Sequence, residues 1–280
     1  RGGPSVVELA VDPLPGEVSQ ANNRAVVSIN GVRDRLRVLL VSGEPYQGER
    51  AWRNLLKSDP SIDLVHFTIL REPDKIDNTP SQELSLIAFP FDELFEKKLY
   101  EFDLIIFDRY QLNRILPQNY FTNIKNYVEK GGALLIAGGP DFVNEDSIYY
   151  TSLMDILPGS PGGGMIDKPF TPNLTDGGKK HPVTRNLSWP AGKDGAPGWG
   201  PWLRQASLNV QSGDVLMNGT DEKPLIILDR VQQGRVAQIA KLAAMHRRCQ
   251  RGDSRRDVLG LGFGRLRGQG GGNQQAGGRD

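Results

Sequence analysis

The apolar positions along residues 36–137 alternate between two kinds of pattern. LRVLLV (36–41) is an unbroken aliphatic run, as expected of a strand buried on both faces of a parallel sheet. ERAWRNLLK (49–57) instead places Trp52, Leu55 and Leu56 on one side of a helix. DLVHFTIL (63–70) reads as a strand, and FDELFEKKL (91–99) as a short helix with Leu94 and Phe95 inward. DLIIF (103–107) is a further strand. Pro117 then occupies a first helical position, Phe121, Ile124 and Val128 recur at i, i+3 and i+7, and Gly131-Gly132 end that helix before the strand ALLIA (133–137). Four apolar strands separated by helices predict a doubly wound, mainly parallel α/β sheet with right-handed crossovers.

The flanks differ. VVELAVDP and RAVVSINGV alternate on either side of a segment punctuated by Pro15, Gly16, Asn22 and Asn23. They predict two strands, with residues 1–35 the end of an upstream β-sandwich-like module. The chain opens at Arg1, in mid-strand, so a piece of a longer protein is expected. Beyond residue 158 the texture turns to Gly- and Pro-rich loops, PGSPGGGMIDKPFTPN and later PAGKDGAPGWGP. Strands then return at 207–210 with 214–217, at 224–230 and at 234–240, the last two flanking the hairpin signal VQQG. They are expected to extend the sheet as antiparallel strands at one edge, closing an α/β domain over 36–240.

Composition narrows the function classes. With 38% hydrophobic and 24% charged residues the chain is of the globular kind. The single Cys forms no internal disulfide. His66, His181, His246 and Cys249 show no metal-ligand spacing, so no metal and no cofactor is expected. LIIF (104–107) and ALLIA (133–137) are far shorter than the roughly 18 apolar residues of a membrane span. The net charge of +1 hides an asymmetry: residues 241–280 carry nine Lys and Arg against three Asp and Glu, an excess of six, which leaves minus five for residues 1–240. That stretch also holds ten of the 33 Gly and has no apolar period. It reads as a disordered tail or an out-of-frame ending; a basic tail for nucleic acid or anionic lipid is the competing reading. Phe263 is its only aromatic residue, which disfavours stacking on single strands, and no specific nucleic acid is expected.

Ligands of open α/β sheets bind outside the carboxyl ends of the strands. The residues just past those ends are Ser42, Gly43 and Glu44; Asp108, Arg109 and Tyr110; and Gly138, Gly139, Pro140 and Asp141. Glu44, Asp108 and Asp141 are candidates for acid/base or metal-carboxylate work, and the Gly138-Gly139 amides for an anion cradle. Turn-making and helix capping explain the same residue types. His181, in KKHPVT, is a loop residue able to face the cleft as a base or to be structural. Known motifs fail: GEPYQGER (43–50) has the spacing of a phosphate loop but carries Glu49 and Arg50 where Lys and Ser/Thr belong. The turn in LLIAGGPDF holds no Ser or Cys for a nucleophile elbow.

LRVLLVSGEP, FDLIIFDRY, EKGGALLIAGGPDF and the downstream HPVT resemble the class I glutamine amidotransferase-like superfamily, in particular the glutamine amidotransferase domain of bacterial membrane-anchored proteins. The resemblance covers 36–240 and implies a flavodoxin-like or amidotransferase-like sheet behind an immunoglobulin-like module. In an active member the strand ending at Ala137 would present a Cys in the GGP turn, with the Asp108 to Tyr110 loop on the oxyanion side. Here Gly138-Gly139 stand at that turn, and Cys249 lies in the basic tail. The resemblance also implies a Trp-containing loop and a Leu-rich closing helix after GRVAQIA, which residues 241–280 do not carry.

The reading that follows is a non-catalytic module of a membrane-anchored cell-envelope protein, anchored through segments outside this chain. It would bind a protein partner or a small ligand through Ser42, Gly43, Glu44, Asp108, Arg109, Tyr110, Gly138 and Gly139. The alternative is a hydrolase using Glu44, Asp108, Asp141 and His181, with or without a divalent metal.

Overall fold

The computed structural model describes residues 3–13, 15–17, 19, 23–31, 35–68, 90–112, 116–185, 187 and 201–240. The expectations for 241–280 and for most of the 190–201 tract lie outside them. The chain divides into two compact units, Arg1–Arg35 and Leu36–Asp280. In the first, β1 (Gly3–Ala10) pairs antiparallel with β2 (Arg24–Gly31), as the alternating flanks predict.

In the second unit, continuous aliphatic runs become β3 (Leu36–Ser42), β5 (Leu104–Asp108) and β6 (Ala133–Ala137), and β4 (Ile62–Thr68) lies at the sheet edge. The remaining strands are β7 (Gly159–Phe170), β8 (Asn173–Leu174), β9 (Trp202–Val210), β10 (Asp214–Asn218), β11 (Pro224–Val231) and β12 (Gly234–Ile239). Eight strands form one mixed sheet in the order β4-β3-β5-β6-β12-β11-β10-β8. It is parallel from β4 to β12 and antiparallel from β12 to β8.

Three expectations change. The sheet is mixed rather than mainly parallel, and β12 is an interior strand parallel to β6, not an antiparallel edge strand. β9 does not extend the sheet. It pairs with β7, in the stretch read as loop, as a separate two-stranded ribbon. That ribbon accommodates its glycines through register shifts between Pro161 and Met165, where Gly163 and Gly164 take φ of 105° and 111°. Third, the helix expected over 91–99 is a wide turn at Glu93–Lys97, closed by Lys98 N–H donating to the Glu93 carbonyl, and a tight one at Leu99–Glu101. Leu94 and Phe95 are buried there, as their positions predict.

Side chains alternate across the sheet, so each strand feeds two cores. Leu39, Val41, Ile105, Phe107, Leu134 and Ile136 face α2 (Gln118–Glu129), which covers them with Phe121, Ile124 and Val128. Val38, Leu40, Leu104, Ile106 and Leu135 face the other way, toward Trp52 and Leu56 of α1 (Gln47–Ser58). The same alternation carries Ser42 and Asp108 onto the α1 face, in register with each other and, for Ser42, with Thr68 of β4.

Candidate functional site

The loops after β3 and β5 interlock. Gly43 N–H donates to the Asp108 carbonyl at 2.9 Å, and a Cβ on Gly43 would come within 1.9 Å of the Arg109 carbonyl oxygen, so only glycine fits. Arg109 itself takes φ of 50°, the left-handed region. Its guanidinium lies 4.8 Å from the Tyr46 ring centroid, makes an ion pair with Glu44, and approaches Asp141 with Nε at 3.5 Å. The Gln111 amide donates to the other Asp141 oxygen. Arg109 therefore ties together the ends of β3, β5 and β6.

Beneath it lies Asp108, 1% exposed. One carboxyl oxygen accepts from the Tyr46 hydroxyl at 2.7 Å; the other, like the Oγ of fully buried Ser42, has no hydrogen-bond partner among the described residues. Burial pushes the Asp108 carboxyl up to about 7. The Tyr46 hydrogen bond and Arg109 oppose that rise, while Glu49 and Asp141 add to it. Burial, together with the Asp108 charge, drives the Tyr46 hydroxyl upward in turn. Glu49, in the first turn of α1, is buried and stands 3.5 Å from His66 of β4. His66 also lies 3.2 Å from Thr68 Oγ1, and burial holds its pKa below the ordinary value.

The structure brings Ser42, Gly43, Glu44, Asp108, Arg109, Gly139 and Asp141 together. Three others are engaged differently. The Tyr110 ring turns to the α2 face, edge-on to Phe107 and Phe121. Gly138 N–H donates to the Ile239 carbonyl at 2.9 Å, so it is not free to cradle an anion. His181 ends α3 (Asp176–Lys180), accepting on Nδ1 from Val183 N–H, beside β10. β10 stands three strands beyond β6, roughly 14 Å away at ordinary strand spacing. Among the described residues no three His, Cys, Asp or Glu side chains are arranged to hold a metal, and no helix is long and apolar enough to cross a membrane. A cavity of about 10 Å³, lined by Phe107, Ile136, Phe142, Ile148 and the Arg109 and Gly138-Gly139 turns, has room for one water.

Tyr46, Glu49, His66 and Gln111 are the members of this cluster that strand-end reasoning misses. Glu49 did carry a signal: with Trp52 and Leu56 it occupies i, i+3 and i+7, the buried stripe of α1.

No protein-family profile matches the chain, and no curated protein matches it. Among solved structures, the Salmonella typhimurium cytoplasmic protein STM3548 superposes with a TM-score of 0.58 at 17% identity, over 82% of this chain and 98% of its own. The cytoplasmic protein STM1381 from Salmonella typhimurium LT2 gives 0.57 at 18%, over 75% and 90%. At these identities the likeness is one of fold.

Proposed function

We propose that the chain is a non-catalytic module of class I glutamine amidotransferase-like architecture that binds a small ligand or protein partner through the β3–β5–β6 end of its sheet. The observation that supports this best is the turn after β6. Gly138 and Gly139 stand where, by the resemblance, an active member would present its Cys nucleophile, and the Arg109 side chain, tied to Glu44 and Asp141, fills the space beside Gly139. With the full chain, ammonia release from glutamine is expected at background. Release that disappears in both Glu44→Ala and Asp108→Ala would overturn the reading. Titrating a panel of amino acids and small carboxylates against the labelled chain is expected to shift the Gly43, Arg109 and Gly139 amides first; shifts confined elsewhere would move the site.

The setting we propose, a membrane-anchored cell-envelope protein, rests on the resemblance of residues 36–240. The two Salmonella neighbours carry the word cytoplasmic in their names. Fractionating cells that express the full-length parent separates the two: recovery in membranes supports anchoring, and recovery in the soluble fraction removes it.

One observation favours the hydrolase alternative. A carboxyl pushed to about 7 is poised for general acid/base work. Asp108 is, however, closed over by Tyr46, and His181 ends α3, beside β10. Turnover of activated esters that Asp108→Asn abolishes would favour this alternative.

A further inference from the structure

We propose that Ser42 and Asp108, with Tyr46 and Glu49 above them, bind a monovalent alkali cation beneath the first turn of α1. This names an occupant for one part of the binding end proposed above and rests on that reading.

Strand register builds the site. Thr68, Ser42 and Asp108 end β4, β3 and β5 side by side, and all three face α1. Neighbouring strands run about 4.8 Å apart, so one atom lodged between Ser42 and Asp108 is in reach of both side chains. Tyr46 and Glu49 approach from the α1 side, and His66 stands on β4 beside Thr68.

Hydrogen bonding among these groups leaves two atoms over. The Tyr46 hydroxyl donates to one Asp108 oxygen at 2.7 Å, while His66 lies 3.2 Å from Thr68 Oγ1 and 3.5 Å from Glu49. The second Asp108 oxygen and the Ser42 Oγ have no partner among the described residues. Ser42 is 0% exposed and Asp108 1%. Polar atoms at that depth have a partner in folded proteins, whether protein, water or ion. A carboxylate oxygen only accepts, so the partner must donate or carry positive charge.

The charge of the surroundings selects a cation over water. Asp108 and Glu49 bring two carboxyl groups under α1, and Asp141 acts on Asp108 in the same sense as Glu49. Arg109, the cation beside Asp108, turns its guanidinium to Glu44 and Asp141. His66, held below its ordinary pKa by burial, is neutral at pH 7. Hydroxyl and carboxylate oxygens suit a hard cation. No three acid, imidazole or thiol side chains among the described residues converge as a divalent ion would want, which limits the guest to a single charge.

Two measurements on the full chain use salts alone, so their failure leaves the binding of an organic ligand or partner standing. Both are made at pH 8, where Asp108 is ionised. Thermal unfolding is compared in LiCl, NaCl, KCl and choline chloride at a common ionic strength of about 0.15 M. Choline is too large for the gap between two strands. The wild-type midpoint is expected to be about 3 °C higher in the best alkali salt than in choline chloride. Ser42→Ala, which removes one ligand and leaves no unpaired hydroxyl, and Asp108→Asn should each lose most of that difference. Equal wild-type midpoints in all four salts overturn the proposal and leave a buried water between the two side chains. An alkali gain that persists in both variants also overturns it, because the ion then binds elsewhere. Carboxyl-carbon NMR of the wild type reads the site without any variant: the Asp108 signal should move and saturate as the alkali salt replaces choline chloride. A signal that stays still sinks the assignment.

Discussion

Replacing Asp108 by Asn gives a quantitative handle on the buried carboxyl. Asn has nearly the same shape, its carbonyl can accept from the Tyr46 hydroxyl, and it does not titrate. In the wild type, burial raises the folded-state pKa from 3.8 to about 7, whereas the unfolded chain keeps the lower value. Between those two values the folded state holds a proton that the unfolded state has lost. Stability from this group is therefore full below about pH 4, falls as pH rises, and is level again above about 8. A shift of about three units at roughly 1.4 kcal/mol each sets a ceiling of about 4 kcal/mol. Water entry and Arg109 movement lower it, so a swing of about 2 kcal/mol or more is expected. Denaturant unfolding of wild type and variant at pH 5, 6, 7 and 8 reads it out, because every other titrating group cancels in the difference. The stability of Asp108→Asn relative to wild type should climb steadily from pH 5 to 7 and then level off, leaving the variant the more stable protein at pH 8. A difference that is flat with pH, or that falls, refutes the buried-carboxyl argument.

Three further outcomes follow from the same geometry. Tyr46→Phe removes the hydrogen bond that favours ionised Asp108, so its NMR midpoint should move up from about 7 by about one unit; a downward move contradicts the assignment. Gly43→Ala forces a methyl into the Arg109 carbonyl, backbone against backbone, and should cost about 3 kcal/mol in denaturant unfolding, the upper end of overpacking penalties. Gln205, fully buried on β9, donates to the Lys223 and Pro224 carbonyls and accepts from Thr220 N–H. Gln205→Leu strands all three and should cost about 3 kcal/mol by the same measurement.

The centre of the parallel half is legible because burial on both faces leaves its strands almost wholly apolar. LRVLLV, DLIIF and ALLIA admit one reading, and β3, β5 and β6 follow it. The antiparallel half is less legible because its strands choose partners remote in sequence. VQQG identifies the β11–β12 hairpin, but nothing local says that β12 then slots in beside β6. SLNV and DVLM, separated by QSG, read as strands that extend the sheet. Ala206 and Leu208 instead pack into the α2-side core, which draws β9 out of the sheet and onto its face, where the Gly-rich strand β7 supplies the pairing. A stretch such as GSPGGGM, with no apolar alternation and two left-handed glycines, has no strand signature to read.

At the site, one backbone angle separates what strand-end reasoning finds from what it misses. Reading past β5, alternation puts Tyr110 on the same side as Asp108. The left-handed turn at Arg109 breaks that alternation, sends Tyr110 into the core against Phe107 and Phe121, and leaves Arg109 free to reach back across the strand ends. The partners of Asp108 then come from elements the strand-end rule does not consult. Tyr46 stands at the threshold of α1 and Glu49 on the helix's buried stripe, where it faces His66 of the edge strand. A carboxylate on an apolar helical stripe has to be paired or neutral. Glu49 at i, i+3 and i+7 with Trp52 and Leu56 thus foretells a polar pocket beneath α1. The rise of Asp108 to about 7 is the chemical consequence of its own burial in that pocket, with Glu49 adding a smaller push in the same direction.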